Sequence, residues 1–189
     1  MFDKLKIALH YIIHAAQENR WPLGAVKLTK SLVLSEAISL YWRSKPITGV
    51  DIVKAPNGPV PDGYDKALQQ LEAEGRIKIT EGESLYEPTS YDSLVPPDPA
   101  LMALLGKEDW KIIEVITENC CNKYTATALS DLTHNYYWEI AQKGDKIPLA
   151  AYWPPYDYRP QDMKEEELSE DELSEIKAIL EEEGLNVVS

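Results

Sequence analysis

The amino-acid sequence predicts an α+β fold that is mainly α-helical: a helical domain with a small antiparallel β-hairpin or sheet, in a winged-helix-like order of elements, followed by a C-terminal acidic helix. Three observations predict it. Apolar residues recur at helical spacing from Asp3 to Trp42 and again from Glu108 to His134. Short alternating runs occur only between Ile47 and Thr89. Near the end, Ser169-Glu170-Asp171-Glu172 forms a capping box that leads into Leu173, Ile176 and Leu180 at helical spacing.

The first helix is expected over Asp3 to about Gln17, with Leu5, Leu9, Ile12, Ile13 and Ala16 near one stripe, and Trp21-Pro22-Leu23-Gly24 breaks it. A second helix runs from about Val26 to Trp42, with Leu28, Leu32, Ser35, Ile38 and Tyr41 spaced for a buried face, and Pro46 ends it. In Ile47 to Pro61, Val50, Ile52 and the stem of Lys54 alternate with Asp51 and Val53 as a short strand does. Pro56, Pro59 and Pro61 lack the amide hydrogens a ladder uses, so a stiff loop is expected, turning at Asn57-Gly58.

A third helix follows over about Gly63 to Glu74, with Tyr64, Ala67, Leu68 and Leu71 inward and Gly75 as its C-cap. Arg76 to Thr80 and Leu85 to Thr89 then read as two strands around the turn Glu81 to Ser84, and Ser90 to Pro99 as a proline-punctuated connection. Asp98-Pro99 starts a short helix that Gly106 closes. The next runs from about Glu108 to Asn119 with Trp110, Ile112, Ile113 and Ile116 on its apolar side. Thr125 caps a helix carrying Leu129 and Leu132, and Asn135 caps a short one ending at Gly144. Residues 1–160 are expected to form the main domain and 161–189 an acidic amphipathic tail. Tyr152, Trp153, Tyr156 and Tyr158, at the junction, can serve as a lid on the core or as interface anchors.

Charge is unevenly placed. The net charge is −13, of which −9 lies between Asp162 and Glu183. Within Lys27 to Lys54 the sign reverses, since Lys27, Lys30, Arg43, Lys45 and Lys54 outnumber Glu36 and Asp51. The tail thus has the character of a segment that covers a basic surface, with electrostatics speeding encounter. With 44% hydrophobic and 27% charged residues, no membrane-length apolar run and no signal-peptide pattern after Met1, a soluble cytoplasmic protein is expected.

Catalytic constellations are thin. Cys120 and Cys121 are adjacent and read as buried thiols near a helix end. His10 and His14 stand one helical turn apart, yet Ile12-Ile13 between them belongs to the apolar face, and no metal and no cofactor are expected. His134 lies where an imidazole can meet unpaired helix-end carbonyls. The sequence has no GxSxG elbow and no phosphate-cradling glycine loop. No catalytic residue is assigned. A DNA-binding transcriptional regulator of winged-helix type is the alternative. Its groove-facing helix would be Asp65 to Glu74, however, which offers Lys66 against Asp65, Glu72 and Glu74, so nucleic acid is not the expected partner.

Ile47-Thr48-Gly49, Lys54 and Gly58-Pro59-Val60-Pro61 together resemble the signature of the Panacea domain, the SocA-like or phage-associated GepA-like antitoxin family of bacteria. Lys27-Leu28-Thr29-Lys30, Leu71 to Gly75, Leu129 to His134, Trp138, Ala141, Gly144 and Ile147 agree in order and spacing. One departure is Val33-Leu34, where relatives carry an aromatic pair. The resemblance implies an antitoxin of a type II toxin–antitoxin system that neutralises a co-encoded toxin by direct binding. It also implies an AAA+ protease as a further partner, through the proteolytic-adaptor role attributed to one relative. A rigid exposed turn pre-sets a contact, so Lys54, Asn57, Gly58, Pro59, Val60 and Pro61 are the expected partner surface. Lys27 and Lys30 are added to it, a solvated helix face being their alternative.

Overall fold

A computed structural model describes residues 2–82 and 89–152. All of them belong to one compact unit, Met1–Pro154. The expected acidic helix, the boundary after residue 160, and Trp153, Tyr156 and Tyr158 lie outside the described residues.

The fold is α+β and mainly helical. Along the chain run α1 (Phe2–Glu18), α2 (Ala25–Arg43), β1 (Ile52–Ala55), β2 (Gly58–Pro61), α3 (Tyr64–Ala73), β3 (Ile77–Thr80), β4 (Ser90–Ser93), α4 (Pro99–Met102), α5 (Lys107–Asn122), α6 (Ala126–Thr133), α7 (Tyr136–Ile140) and a final 3-10 turn, Leu149–Tyr152. The caps follow the side chains that suit them. Asp98 accepts from the Ala100 amide, Thr125 from Ala128 and Asn135 from Trp138. Gly75 takes φ +66 just past α3. The helix expected to reach Gly144 stops at Ile140 instead, because Ala141 is already extended.

Helix α2 is the centre of the unit, packing on α1, α5, α6, β2 and the 3-10 turn. Leu28, Leu32 and Ile38 enter the main core with Leu5, Leu9, Ile12 and Ile13 of α1 and Ile112, Ile113 and Ile116 of α5. Val33 and Ala37 look the other way, into a second cluster with Ile52, Ile147 and Tyr152. Tyr152 is therefore a buried lid residue, not an exposed aromatic. A single buried face of Leu28, Leu32, Ser35, Ile38 and Tyr41 understates this helix, since Lys30, Ser31, Glu36 and Ser39 are buried as well. At its end Arg43 pairs with Asp109 and, at 3.1 Å, with Glu108, while Asp109 also accepts from the Gly106 amide at the start of α5.

Two of the expected β features are corrected. The proline run is not a loop but a strand: β1 and β2 pair antiparallel, with Ile52 opposite Pro61, Val53 opposite Val60, Lys54 opposite Pro59 and Ala55 opposite Gly58. The reason is parity. The Asp62 amide donates to the Asp51 carbonyl, so the odd-numbered residues of β1 and the even-numbered residues of β2 face each other. Pro59 and Pro61 fall on the positions whose nitrogens point away, where a missing N–H costs nothing in the ladder. The backbone of Ile52 and Lys54 turns to the opposite edge, meeting Gly144, Asp145 and Ile147.

β3 pairs with Ser90–Ser93, Ile77 with Ser93 through Thr80 with Ser90, within the segment expected as a connection; the expected strand Leu85 to Thr89 lies, but for Thr89, outside the described residues. The segment read as a connection is a strand because α1 holds it. Gln17 bonds both the amide and the carbonyl of Ser93, His14 Nδ1 lies 3.2 Å from Ser93 Oγ, and His10 Nε2 donates to the Val95 carbonyl at 3.0 Å. The two histidines thus clamp α1 to β4.

His10 is buried, and burial lowers its pKa below the ordinary 6.5, with the charges of Arg76 and His14 acting in the same direction. The unfolded chain therefore takes up this proton first. The contribution of His10 to stability is fully present above about pH 6.5 and is lost as pH falls toward the lower folded value. Urea unfolding followed between pH 7.5 and 5 will show stability declining with acid, and His10→Gln will remove part of that decline.

Candidate functional site

The segment Ile47 to Pro61 is held by two buried charged side chains of opposite sign, both on α2. Glu36 is fully buried and accepts three bonds at the near end of the segment: the Ile47 amide at 2.9 Å, the Thr48 amide at 2.8 Å, and the Thr48 hydroxyl. Gly49, at φ +72, lets the chain fold around the carboxylate. Burial raises the Glu36 pKa, and the bonds from Thr48, Ile47 and Gly49 oppose the rise. The Ile47-Thr48-Gly49 motif is a carboxylate cradle.

At the far end stands Lys30, equally buried. Its Nζ donates to the Pro59 carbonyl at 2.8 Å, and no carboxylate lies in ion-pair reach among the described residues. Desolvation lowers its pKa from 10.5 to about 7. Gly58 lies beside it at φ +102. A Cβ there would stand 2.3 Å from Lys30 Nζ and 2.9 Å from His134 Nε2, so glycine is required both by backbone conformation and by space.

His134 follows α6 and its amide donates to the Ser130 carbonyl. Its ring does not turn to helix-end carbonyls as expected. It stacks on Trp138 with centroids 3.8 Å apart and planes 4° from parallel, and its Nε2 is buried without a hydrogen-bond partner. Trp138 Nε1 donates to the Ala55 carbonyl at 3.3 Å. Lys54 Nζ lies 4.3 Å from the Trp138 ring centre and donates to the carbonyls of Ala141 at 2.9 Å and Glu139 at 3.3 Å, the C-terminal end of α7. One interlocked cluster thus joins α2, the hairpin, His134 and α7.

Of the eight expected contact residues, Asn57 is exposed, Lys27, Lys54 and Val60 are half-buried, and Lys30, Gly58, Pro59 and Pro61 are buried. The turn shows solvent Pro56 and Asn57 only. Lys27 is also committed inward, donating to the Cys121 carbonyl at 2.6 Å near the end of α5. The basic region read beside the proline run is therefore mostly internal, because Lys27, Lys30, Arg43 and Lys54 all spend their donors on protein acceptors. Lys45 alone of the five stays exposed.

Glu36, His134 and Trp138 were not assigned to the site by sequence reasoning. A signal existed for each: Glu36 is the one acid inside α2, and His134 and Trp138 are four residues apart. Cys120 and Cys121 are buried thiols, and burial pushes the Cys120 pKa up to about 12, far from a reactive thiolate. Among the described residues no group of three His, Cys, Asp or Glu could hold a metal ion. What the cluster does chemically is position backbone.

Gly58→Ala tests this positioning. The variant should lose about 1–3 kcal/mol of folding free energy in urea unfolding, the range for a strained left-handed residue that also displaces neighbours.

The antitoxin SocA-like, Panacea domain family model matches residues 28–139. The matched stretch begins in α2, ahead of Lys30 and Glu36, and ends in α7, just past Trp138, so it contains every side chain of the cluster. No curated protein and no solved structure matches the chain. With more than half of its length under that match, this chain belongs to the SocA-like antitoxin, Panacea domain family.

Proposed function

We propose that the protein is the antitoxin of a type II toxin–antitoxin pair, neutralising a co-encoded toxin by direct contact in the cytoplasm, with no bond made or broken on its surface. The observation that carries this reading is the exposure of four apolar side chains on α6 and α7, Leu132, Tyr136, Tyr137 and Ile140, with Tyr136 and Ile140 68% and 62% exposed. Trp138 and Lys54 tie α7 to the end of β1, directly before the Pro56–Asn57 turn. Aromatic anchors beside a preformed turn are what a protein interface uses.

Lys54, Asn57, Gly58, Pro59, Val60 and Pro61 remain the proposed partner element, divided by role. Asn57, with Pro56, is offered to the toxin, and the buried members, with Lys30, set the turn's shape. Lys27 fixes α2 to α5. The acidic tail, residues 161–189, would add a charged second contact, and delivery of the toxin to an AAA+ protease would be a consequence of the same binding. No helix among the described residues is long and apolar enough to cross a membrane. The acidic α3, with exposed Asp65, Glu72 and Glu74 against Lys66, disfavours the DNA-binding alternative.

Co-expression with the product of the adjacent gene tests the proposal. The intact chain should restore growth, whereas the triple variant Asn57→Arg, Tyr136→Ser, Tyr137→Ser should lose rescue and pull-down by at least about tenfold while keeping its circular dichroism and Tm. Death regardless of the protein's presence, or salt-sensitive binding to its own promoter fragment without any toxin contact, would overturn it.

A further inference from the structure

We propose that Lys30 and His134 form a proton-sensitive latch under the Pro56–Asn57 turn: the turn is held while the pair carries at most one proton between them and is released when both side chains are cations. The geometry has three parts. Lys30 Nζ is fully buried with one bond, to the Pro59 carbonyl. His134 Nε2 is buried and has none. Both nitrogens converge on Gly58, the residue at which the turn enters β2.

With one ammonium present, the Nε2 lone pair is a favourable neighbour for it. Two cations facing one glycine in a water-excluded space repel, and opening the hairpin is the way to rehydrate them. Among the described residues no acid is placed to offset that repulsion. From β2 the facing residues, Gly58, Pro59, Val60 and Pro61, have no titratable group. From β1 comes another cation, Lys54, near the Trp138 ring on which His134 stacks. On α2 itself Glu36 is engaged by Ile47 and Thr48, and Lys27 by Cys121. From α5 come the thiols of Cys120 and Cys121, which burial keeps protonated. From the 3-10 turn comes Tyr152, whose hydroxyl is buried and unpartnered and stays neutral. From α6 and α7 the acids Asp131 and Glu139 are exposed, and among the described residues neither pairs with Lys30 or His134.

The lowered pKa of Lys30 supports the latch by placing its first proton near neutrality. Below about pH 7 the amine is charged.

The test is an NMR titration of the full chain, isotopically labelled, from pH 8.5 to 5. The Gly58 amide, the Trp138 indole N–H and the His134 Cε1 proton should move together with one common midpoint in the acid range. In Lys30→Met the His134 midpoint should rise by about one pH unit, since the neighbouring cation is gone, and the Gly58 movement should shrink. A His134 midpoint unchanged by Lys30→Met, or a Gly58 amide that stays fixed while His134 titrates, would overturn the latch. If Lys30→Met does not fold, the wild-type comparison of Gly58 with His134 decides alone.

Discussion

The structure depends on one arrangement: a central helix that carries a buried lysine and a buried carboxylate six residues apart and turns both against the same segment of chain. Glu36 gathers the amides where that segment begins, and Lys30 takes a carbonyl where it ends. A buried charge without hydrogen bonds costs several kcal/mol, so each side chain fixes its backbone partners as firmly as they fix it. The two do not form an ion pair with each other. Each serves the backbone of residues 47–61, which is why that stretch has a defined shape despite three prolines, Pro56, Pro59 and Pro61, in ten residues of hairpin.

From this anchor the rest of the site follows by contact. The hairpin offers the Ala55 carbonyl to Trp138 and the Lys54 side chain to the last carbonyls of α7, and so fixes the position of a helix too short to hold itself. That short helix carries the most exposed aromatic residues of the described fold. Rigidity begins in the core and ends in a surface. A preformed surface of this kind loses little entropy on docking, which is the property the proposed toxin contact needs.

Much of this was legible in the sequence and some was not. The long helices could be read because their apolar periods are clean, and the caps at Asp98, Thr125 and Asn135 because each side chain has one local use there. The resemblance to the family is borne out by the match over residues 28–139. What failed was inference from residue type to environment. Pro59 and Pro61, read as loop, were strand residues, since only the facing parity of a two-stranded ladder needs its amides and parity depends on pairing that sequence does not display. Lysines read as solvated or as contacts were internal, because a long stem and one carbonyl acceptor can bury an amine that composition places on the surface. Ser90–Ser93 was missed as a strand because its side chains are polar, and it is held by Gln17, His10 and His14, some 75 or more residues away.

The account's central claim is that Glu36 organises the segment that Lys30 completes. It is tested most directly by amide hydrogen exchange in Glu36→Gln, which keeps size while replacing one acceptor oxygen with a donor. The account predicts that protection falls at least about tenfold at Ile47 and Thr48, with each lost bond worth 1 kcal/mol or more, and that protection also falls at Val60 and Asp62 in the hairpin, while the α1 and α5 amides keep theirs. Unchanged protection at Ile47 and Thr48, or a loss spread evenly over the whole fold, would contradict it.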